Sequence, residues 1–226
     1  QHDDWASDES SDWAGTRLEF GAQGAWEPYV GSIPHDLSLF FDTDPGPTPT
    51  AVGRRVVAYG DSLLGEPIVE STLTEALSAR GMELASLDSE PGRTATQLAD
   101  LLETSTVDGD IYLINIGING EETAAQFEAQ VRRAVAALQS AAPDAPILWS
   151  NIHALPTRYD YIVDERVTPR NEVLRRLGSE GLIEVVDWAT IATAHPEIYG
   201  ADGVHFFGSE PVYLATMLTA TDTVTR

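Results

Sequence analysis

The sequence predicts a three-layer α/β/α domain built on a flavodoxin-like, doubly wound parallel sheet of five strands. Three observations carry this. From Arg54 onward, short apolar runs alternate five times with segments of helical spacing, the signature of a parallel sheet covered by helices on both faces. The apolar runs are nearly continuous rather than alternating, as expected of strands buried on both sides. No internal repeat competes with this reading.

The elements follow in order. "RRVVAYG" (54–60) is a short apolar strand, and "PIVESTLTEALSAR" (67–80) has helical spacing and stops at Gly81, a C-cap residue. "MELASLD" (82–88) reads as a second strand and "TATQLADLLET" (94–104) as a short amphipathic helix. "DIYLINIG" (110–117) is a third, almost wholly apolar strand. The longest helix is expected over "EETAAQFEAQVRRAVAALQSAA" (121–142), with Glu121 and Glu122 in its first turn, where the helix dipole favours negative charge. "PILWSNI" (146–152) is a fourth strand, "PRNEVLRRLG" (169–178) a helix and "LIEVVDWA" (182–189) a fifth strand. "SEPVYLATMLTA" (209–220) closes the domain as a helix with Pro211 near its start.

Composition narrows the function classes. The chain has 226 residues, 42% of them hydrophobic, enough to bury a core. Its net charge is −23, and all 13 basic residues are arginines. Such an acidic chain lacks the basic patch that nucleic acids and anionic membranes require. There is no cysteine, hence no disulfide, thiolate metal site or cysteine nucleophile. No apolar run approaches the roughly 18 residues of a membrane span. The chain opens at Gln1 without a signal peptide and reads as a mature or trimmed segment. Residues 1–50 form an acidic, Ser- and Pro-rich extension, ending in the linker-like "DTDPGPTPTA" (42–51); residues 51–226 form the α/β domain. Trp5, Trp13 and Trp26 argue that the extension packs partly on the domain, since disordered segments are poor in aromatics.

In a doubly wound sheet, ligands bind beyond the carboxyl ends of the strands, near the point where strand order reverses. At these ends stand Gly60-Asp61-Ser62, then Pro91-Gly92-Arg93-Thr94, then Gly117-Ile118-Asn119-Gly120, then Asn151 and His153, and finally "HPEIYGADGVHFFG" with His195, Asp202 and His205. In a 2-1-3-4-5 order, strands one and three are neighbours at the switch point, and Ser62 and Asn119 face each other across the crevice. Each block also has a plainer reading. Gly-Asp-Ser is common loop chemistry, Gly92 serves as a turn glycine, Asn119 as a turn cap, Asp61 as a turn former, and His153 and His195 as structural histidines. Asp202 and His205 as metal ligands lack a third ligand of convincing spacing.

Taken together and in order, "GDSL", a later glycine, "GxN" and a late "DxxH" resemble the four blocks of the SGNH hydrolases, also called the GDSL family. The resemblance spans roughly residues 54–220 and implies the SGNH hydrolase fold. It also implies roles: Ser62 as nucleophile, His205 as base, Asp202 as the group that orients His205. The oxyanion hole it implies is made of the Ser62 and Gly92 amides and the Asn119 side chain. This chemistry needs neither metal nor cofactor. Gly120 departs from the "GxND" of many members. With "PGR" (91–93), "VVDW" (185–188), "HPE" (195–197) and "DGVH" (202–205), the chain looks most like the extracytoplasmic SGNH domains fused to membrane acyltransferase-3 domains, including peptidoglycan O-acetyltransferases. That resemblance implies an O-acetyltransferase. Its membrane acyltransferase-3 part, in the same polypeptide, delivers the acyl group, and its acceptor is a hydroxyl of an envelope glycan or glycolipid. Arg93 is then a candidate contact for acceptor or acyl donor. The alternatives are a free-standing secreted carbohydrate esterase or deacetylase, and a noncatalytic carbohydrate-binding domain that kept the fold.

Overall fold

The structure, a computed structural model, describes residues 52–65, 67–157, 159–206 and 210–225. The 1–50 extension and its three tryptophans lie outside the described residues. Five strands, β1 (Arg55–Gly60), β2 (Glu83–Ser89), β3 (Ile111–Asn115), β4 (Ile147–Ser150) and β5 (Glu184–Val186), pair in parallel in the order β2-β1-β3-β4-β5. This is the flavodoxin-like order, with the switch point between β1 and β3. Six helices cover the sheet: α1 (Pro67–Ala79), α2 (Ala95–Thr104), α3 (Ala124–Ala141), α4 (Asp164–Ser179), α5 (Trp188–Ala194) and α6 (Glu210–Val224), with a 3₁₀ turn at Pro196–Ile198.

The period of two along each strand divides the core into two layers. Val56 and Ala58 of β1 and Ile111 and Leu113 of β3 pack toward α1, α5 and α6, among them Leu73, Leu77, Trp188 and Tyr213. Val57, Tyr59, Tyr112 and Ile114 face the other way, against Leu98 of α2, Phe127 and Val131 of α3 and Leu174 of α4. Central β1, β3 and β4 are buried almost throughout, whereas edge β2 is half-buried along most of its length.

The helix starts differ from expectation in instructive ways. Helix α3 begins at Ala124, after Glu121 and Glu122, because Thr123 and Gln126 close a capping box that sets the first turn. The acidic pair therefore lies in the preceding loop. Helix α4 begins at Asp164 rather than Pro169; Asp164 and Glu165 occupy the first turn and the helix runs on through Pro169. Burial of Val173, Leu174 and Leu177 holds it against the sheet. Strand β5 ends at Val186 because Asp187 caps α5, accepting from the Thr190 amide, so the expected strand over 187–189 is helix instead.

Trp149 of β4 is fully buried and donates its indole N–H to the Ile116 carbonyl at 2.9 Å, just where β3 gives way to its loop. Trp149→Phe should destabilise the fold by about 1–3 kcal/mol, the cost of leaving that carbonyl unsatisfied, read as a lowered urea midpoint. An unchanged midpoint contradicts this role for the indole.

Candidate active site

Three turns at the carboxyl ends of the strands meet here. The first follows β1. Asp61 accepts the Leu63 amide on Oδ1 (3.0 Å), and the Leu64 and Gly65 amides bond back to the Asp61 and Ser62 carbonyls. This closes a tight turn that presents Ser62 at its tip. Helix α1 starts only at Pro67, so Ser62 sits on a turn ahead of the helix.

The third turn carries Asp202 and His205. Asp202 Oδ1 accepts the amides of Val204 and His205, both at 3.0 Å, while its Oδ2 meets His205 Nδ1 at 2.6 Å. The i, i+3 spacing thus lets one carboxylate shape the turn and hold the imidazole. Leu155 donates to the Gly203 carbonyl (2.8 Å), and Gly200 donates to that of His205 (2.6 Å). On either side of His205, Val204 and Phe206 are buried. Phe206 packs against Trp188, Tyr213 and Tyr199 with ring centroids 5.2, 5.2 and 5.6 Å away. The imidazole held this way brings Nε2 to 2.9 Å from Ser62 Oγ, across 143 residues of chain.

The result is a continuous chain of hydrogen bonds, Ser62–His205–Asp202, with all three side chains half-buried. Burial by itself raises the Asp202 carboxyl. The hydrogen bonds from the His205 ring and the two amides outweigh it and hold the group at about 2. An ionised Asp202 can only accept, so His205 Nδ1 carries the proton and Nε2 is left to accept from Ser62. Such an arrangement can deprotonate the serine as it attacks a carbonyl.

The second group supplies donors. Asn119, buried in the loop after β3, donates Nδ2 to Asp61 Oδ2 at 3.0 Å and, weakly, to the Arg93 carbonyl at 3.4 Å. Asp61, which sequence reading takes as a turn former, does shape its turn, but it also grips both asparagines of the β3 end, accepting from Asn115 Nδ2 at 3.1 Å. By accepting from Nδ2 it fixes which way the Asn119 amide points. Burial pushes the Asp61 carboxyl up to about 7, against the opposing pull of the Leu63 amide and the Arg93 charge. Gly92 is exposed, with φ +80°, and an added Cβ would meet no described atom. Glycine is required there by the left-handed backbone, not by crowding within the protein. Among the described residues, neither the Ser62 nor the Gly92 amide donates a hydrogen bond.

Arg93 departs from expectation. It is 5% exposed, and its guanidinium donates to the Gly60 and Asp88 carbonyls (3.2 and 2.9 Å) and to the Asp88 carboxylate (2.6 Å). It clamps the end of β1 to the end of β2 instead of reaching for a substrate. Gly120 also has a reason: its φ is +83°, and a Cβ there would run into the Glu122 carboxylate and the Thr94 methyl. An aspartate here, as in "GxND", requires the Glu122 side chain to shift. His153 donates Nδ1–H to the Tyr199 hydroxyl (2.9 Å), which donates back to the His153 carbonyl (3.1 Å), and burial lowers its pKa. His195 pairs with Glu197 at the surface. Among the described residues, no three His, Asp or Glu side chains converge as a metal site.

The family model described as "GDSL-like Lipase/Acylhydrolase family" matches residues 56–207. A lipase/acylhydrolase from Enterococcus faecalis superposes with a TM-score of 0.65 at 19% identity, covering 75% of this chain and 96% of its own. An acetyl xylan esterase gives 0.61 at 18%, covering 74% and 98%. A carbohydrate esterase family 3 protein from Talaromyces cellulolyticus gives 0.57 at 16%, covering 76% and 98%. At these identities the likeness shows the fold. No curated protein matches the sequence.

The depressed Asp202 pKa makes a stability prediction. A carboxyl lowered on folding stabilises the native state above its unfolded value, and that contribution is lost as the pH falls through the folded one. The stability advantage of the wild type over Asp202→Asn should therefore be full at neutral pH. It should shrink as the pH drops from about 4 toward about 2. Urea midpoints at pH 7, 4 and 3 measure it, and a gap that stays constant contradicts the assignment.

Proposed function

The chain belongs to the GDSL-like Lipase/Acylhydrolase family, and we propose that it takes a short acyl group, such as acetyl, from an O-acylated carbohydrate onto Ser62. The observation that carries this reading is the unbroken Ser62–His205–Asp202 hydrogen-bond chain beside the Asn119 amide. In the reaction, His205 Nε2 takes the Ser62 proton as Oγ attacks the ester carbonyl. The negative oxygen is stabilised by the Ser62 and Gly92 amides and by the Asn119 N–H now spent weakly on the Arg93 carbonyl. Collapse of the tetrahedral intermediate breaks the bond to the sugar oxygen, which leaves with the proton from His205. The acyl-serine is then attacked by water, activated by the same base, and acid is released. Carbohydrate esters as substrates are supported by structural neighbours described as an acetyl xylan esterase and a carbohydrate esterase.

A second reading shares the acyl-enzyme but not its fate. The "PGR", "GING", "VVDW", "HPE" and "DGVH" blocks favour an O-acetyltransferase domain at the cell envelope, in which a sugar hydroxyl replaces water. In that reading an acyltransferase-3 membrane domain delivers the acyl group. Among the described residues no helix is long and apolar enough to cross a membrane. Transfer requires the acceptor to outcompete water at about 55 M, which binding in near-attack geometry achieves, since effective molarities reach about 10⁵ M or more.

Ser62→Ala should abolish cleavage of nitrophenyl acetate, and Asn119→Ala should lower kcat by about 10²–10³, roughly 3–4 kcal/mol. Full activity in Ser62→Ala contradicts the nucleophile. Mass spectrometry of products with envelope glycans, glycolipids and acetylated xylo-oligosaccharides separates the two fates. Acetylated acceptor indicates transfer, and free acetate alone indicates hydrolysis.

A further inference from the structure

Asn119 stands in an irregular stretch between β3 and α3, and the side chain that holds this stretch comes from α4. Arg170 is 1% exposed. Its Nη1 donates to the carbonyls of Gly117 (2.7 Å) and Asn119 (3.0 Å), and its Nη2 to those of Gly120 and Glu122, both at 2.9 Å. Four carbonyls of one six-residue loop thus converge on one guanidinium. The loop has no ladder to satisfy them, and buried carbonyls without donors are costly. The charge is balanced by the Glu122 carboxylate at 3.4 Å and seated over the Phe127 ring at 5.5 Å. The Gly117 and Gly120 backbones, at φ +145° and +83°, turn the chain so that these carbonyls point the same way.

We propose that Arg170 is the positioning residue of the oxyanion hole: by holding the backbone of 117–122 from behind, it keeps the Asn119 amide beside the Ser62 turn. The proposal rests on the reading of Asn119 as an oxyanion donor. The Asn119 side chain is held from one side by Asp61 and its backbone from the other by Arg170. The two grips set the amide in place before any substrate arrives, which is what makes such a donor effective. The geometry is specific to arginine. Two Nη groups offer four N–H bonds in one plane to four carbonyls, whereas a lysine ammonium has three donors and no fork. At least one loop carbonyl then goes unpaired and the loop relaxes. Helix α4 has independent anchors in Val173, Leu174 and Leu177, so relaxing the loop need not undo the helix.

The test is a double-mutant cycle with Arg170→Lys and Asn119→Ala, assayed on nitrophenyl acetate, with circular dichroism and thermal melts to establish folding. Arg170→Lys should lower kcat by about tenfold or more with KM nearly unchanged, the mark of an interaction made in the transition state. In the Asn119→Ala background the same change should cost less than about threefold, because groups acting through one another are not additive. Losses that multiply, or a folded Arg170→Lys with wild-type kcat, overturn the proposal. If Arg170→Lys does not fold, Arg170→Gln, which keeps two side-chain N–H bonds, goes through the same cycle with the same criteria. An impaired Asn119→Ala beside an unimpaired Arg170 variant refutes this proposal alone. A fully active Asn119→Ala refutes the oxyanion reading and this proposal with it.

Discussion

The carbonyls and amides at the carboxyl ends of the strands have to find partners once the ladder stops, and the site depends on how they do so. Regular structure leaves them unpaired, and water is largely excluded. Three buried polar side chains answer the need. Asp61 collects the Leu63 amide and the side-chain amides of Asn115 and Asn119. Arg93 joins the carbonyls of Gly60 and Asp88, and Arg170 gathers those of Gly117, Asn119, Gly120 and Glu122. Each ties down one of the loops from which a reactive or donor group projects. Irregular backbone therefore becomes rigid at the place where the chemistry needs small tolerances.

The third turn is held differently, by packing. Val204 and Phe206 bury the residues flanking His205, and Phe206 joins an aromatic cluster with Trp188, Tyr199 and Tyr213. Full burial of one such side chain is worth about 1.5–3 kcal/mol, and each aromatic pair adds about 0.5–1.5 kcal/mol. That is ample to keep one imidazole in place against rotation. The ionised Asp202 then sets the tautomer, so packing determines where the imidazole sits and electrostatics determines which nitrogen accepts.

Much of this was legible in the sequence, for physical reasons that also explain what was not. Near-continuous apolar strands such as "VVAY" and "IYLIN" have few other uses than a doubly covered parallel sheet, so fold class and strand order followed. Ser62, Asn119, Asp202 and His205 stood at strand ends, where a switch-point architecture collects ligands, and the structure brings the four together through His205 and Asp61. Arg93 and Arg170 were opaque. A charge reads as exposed from sequence, and nothing local in "PGR" or "TPRNE" reports the carbonyls elsewhere that want a donor. Helix α4 was read five residues short because Pro169 resembles a helix start, while the packing that carries the helix through it lies in other segments. Helix α5 was hidden because "VVDW" has the composition of a strand, and the Asp187 cap that ends the strand acts through the Thr190 backbone.

The proposed reaction requires the Ser62, Gly92 and Asn119 donors to surround one point beside the Ser62 hydroxyl. The most direct test is a crystal structure of the protein after reaction with a small acyl-mimicking phosphonate. The expected result is a single adduct on Ser62 Oγ whose phosphonyl oxygen lies about 2.7–3.1 Å from the Ser62 and Gly92 amides and from Asn119 Nδ2, with the Arg93 carbonyl released by that amide. An adduct on another residue, or a phosphonyl oxygen turned to solvent while Asn119 stays on the Arg93 carbonyl, contradicts it.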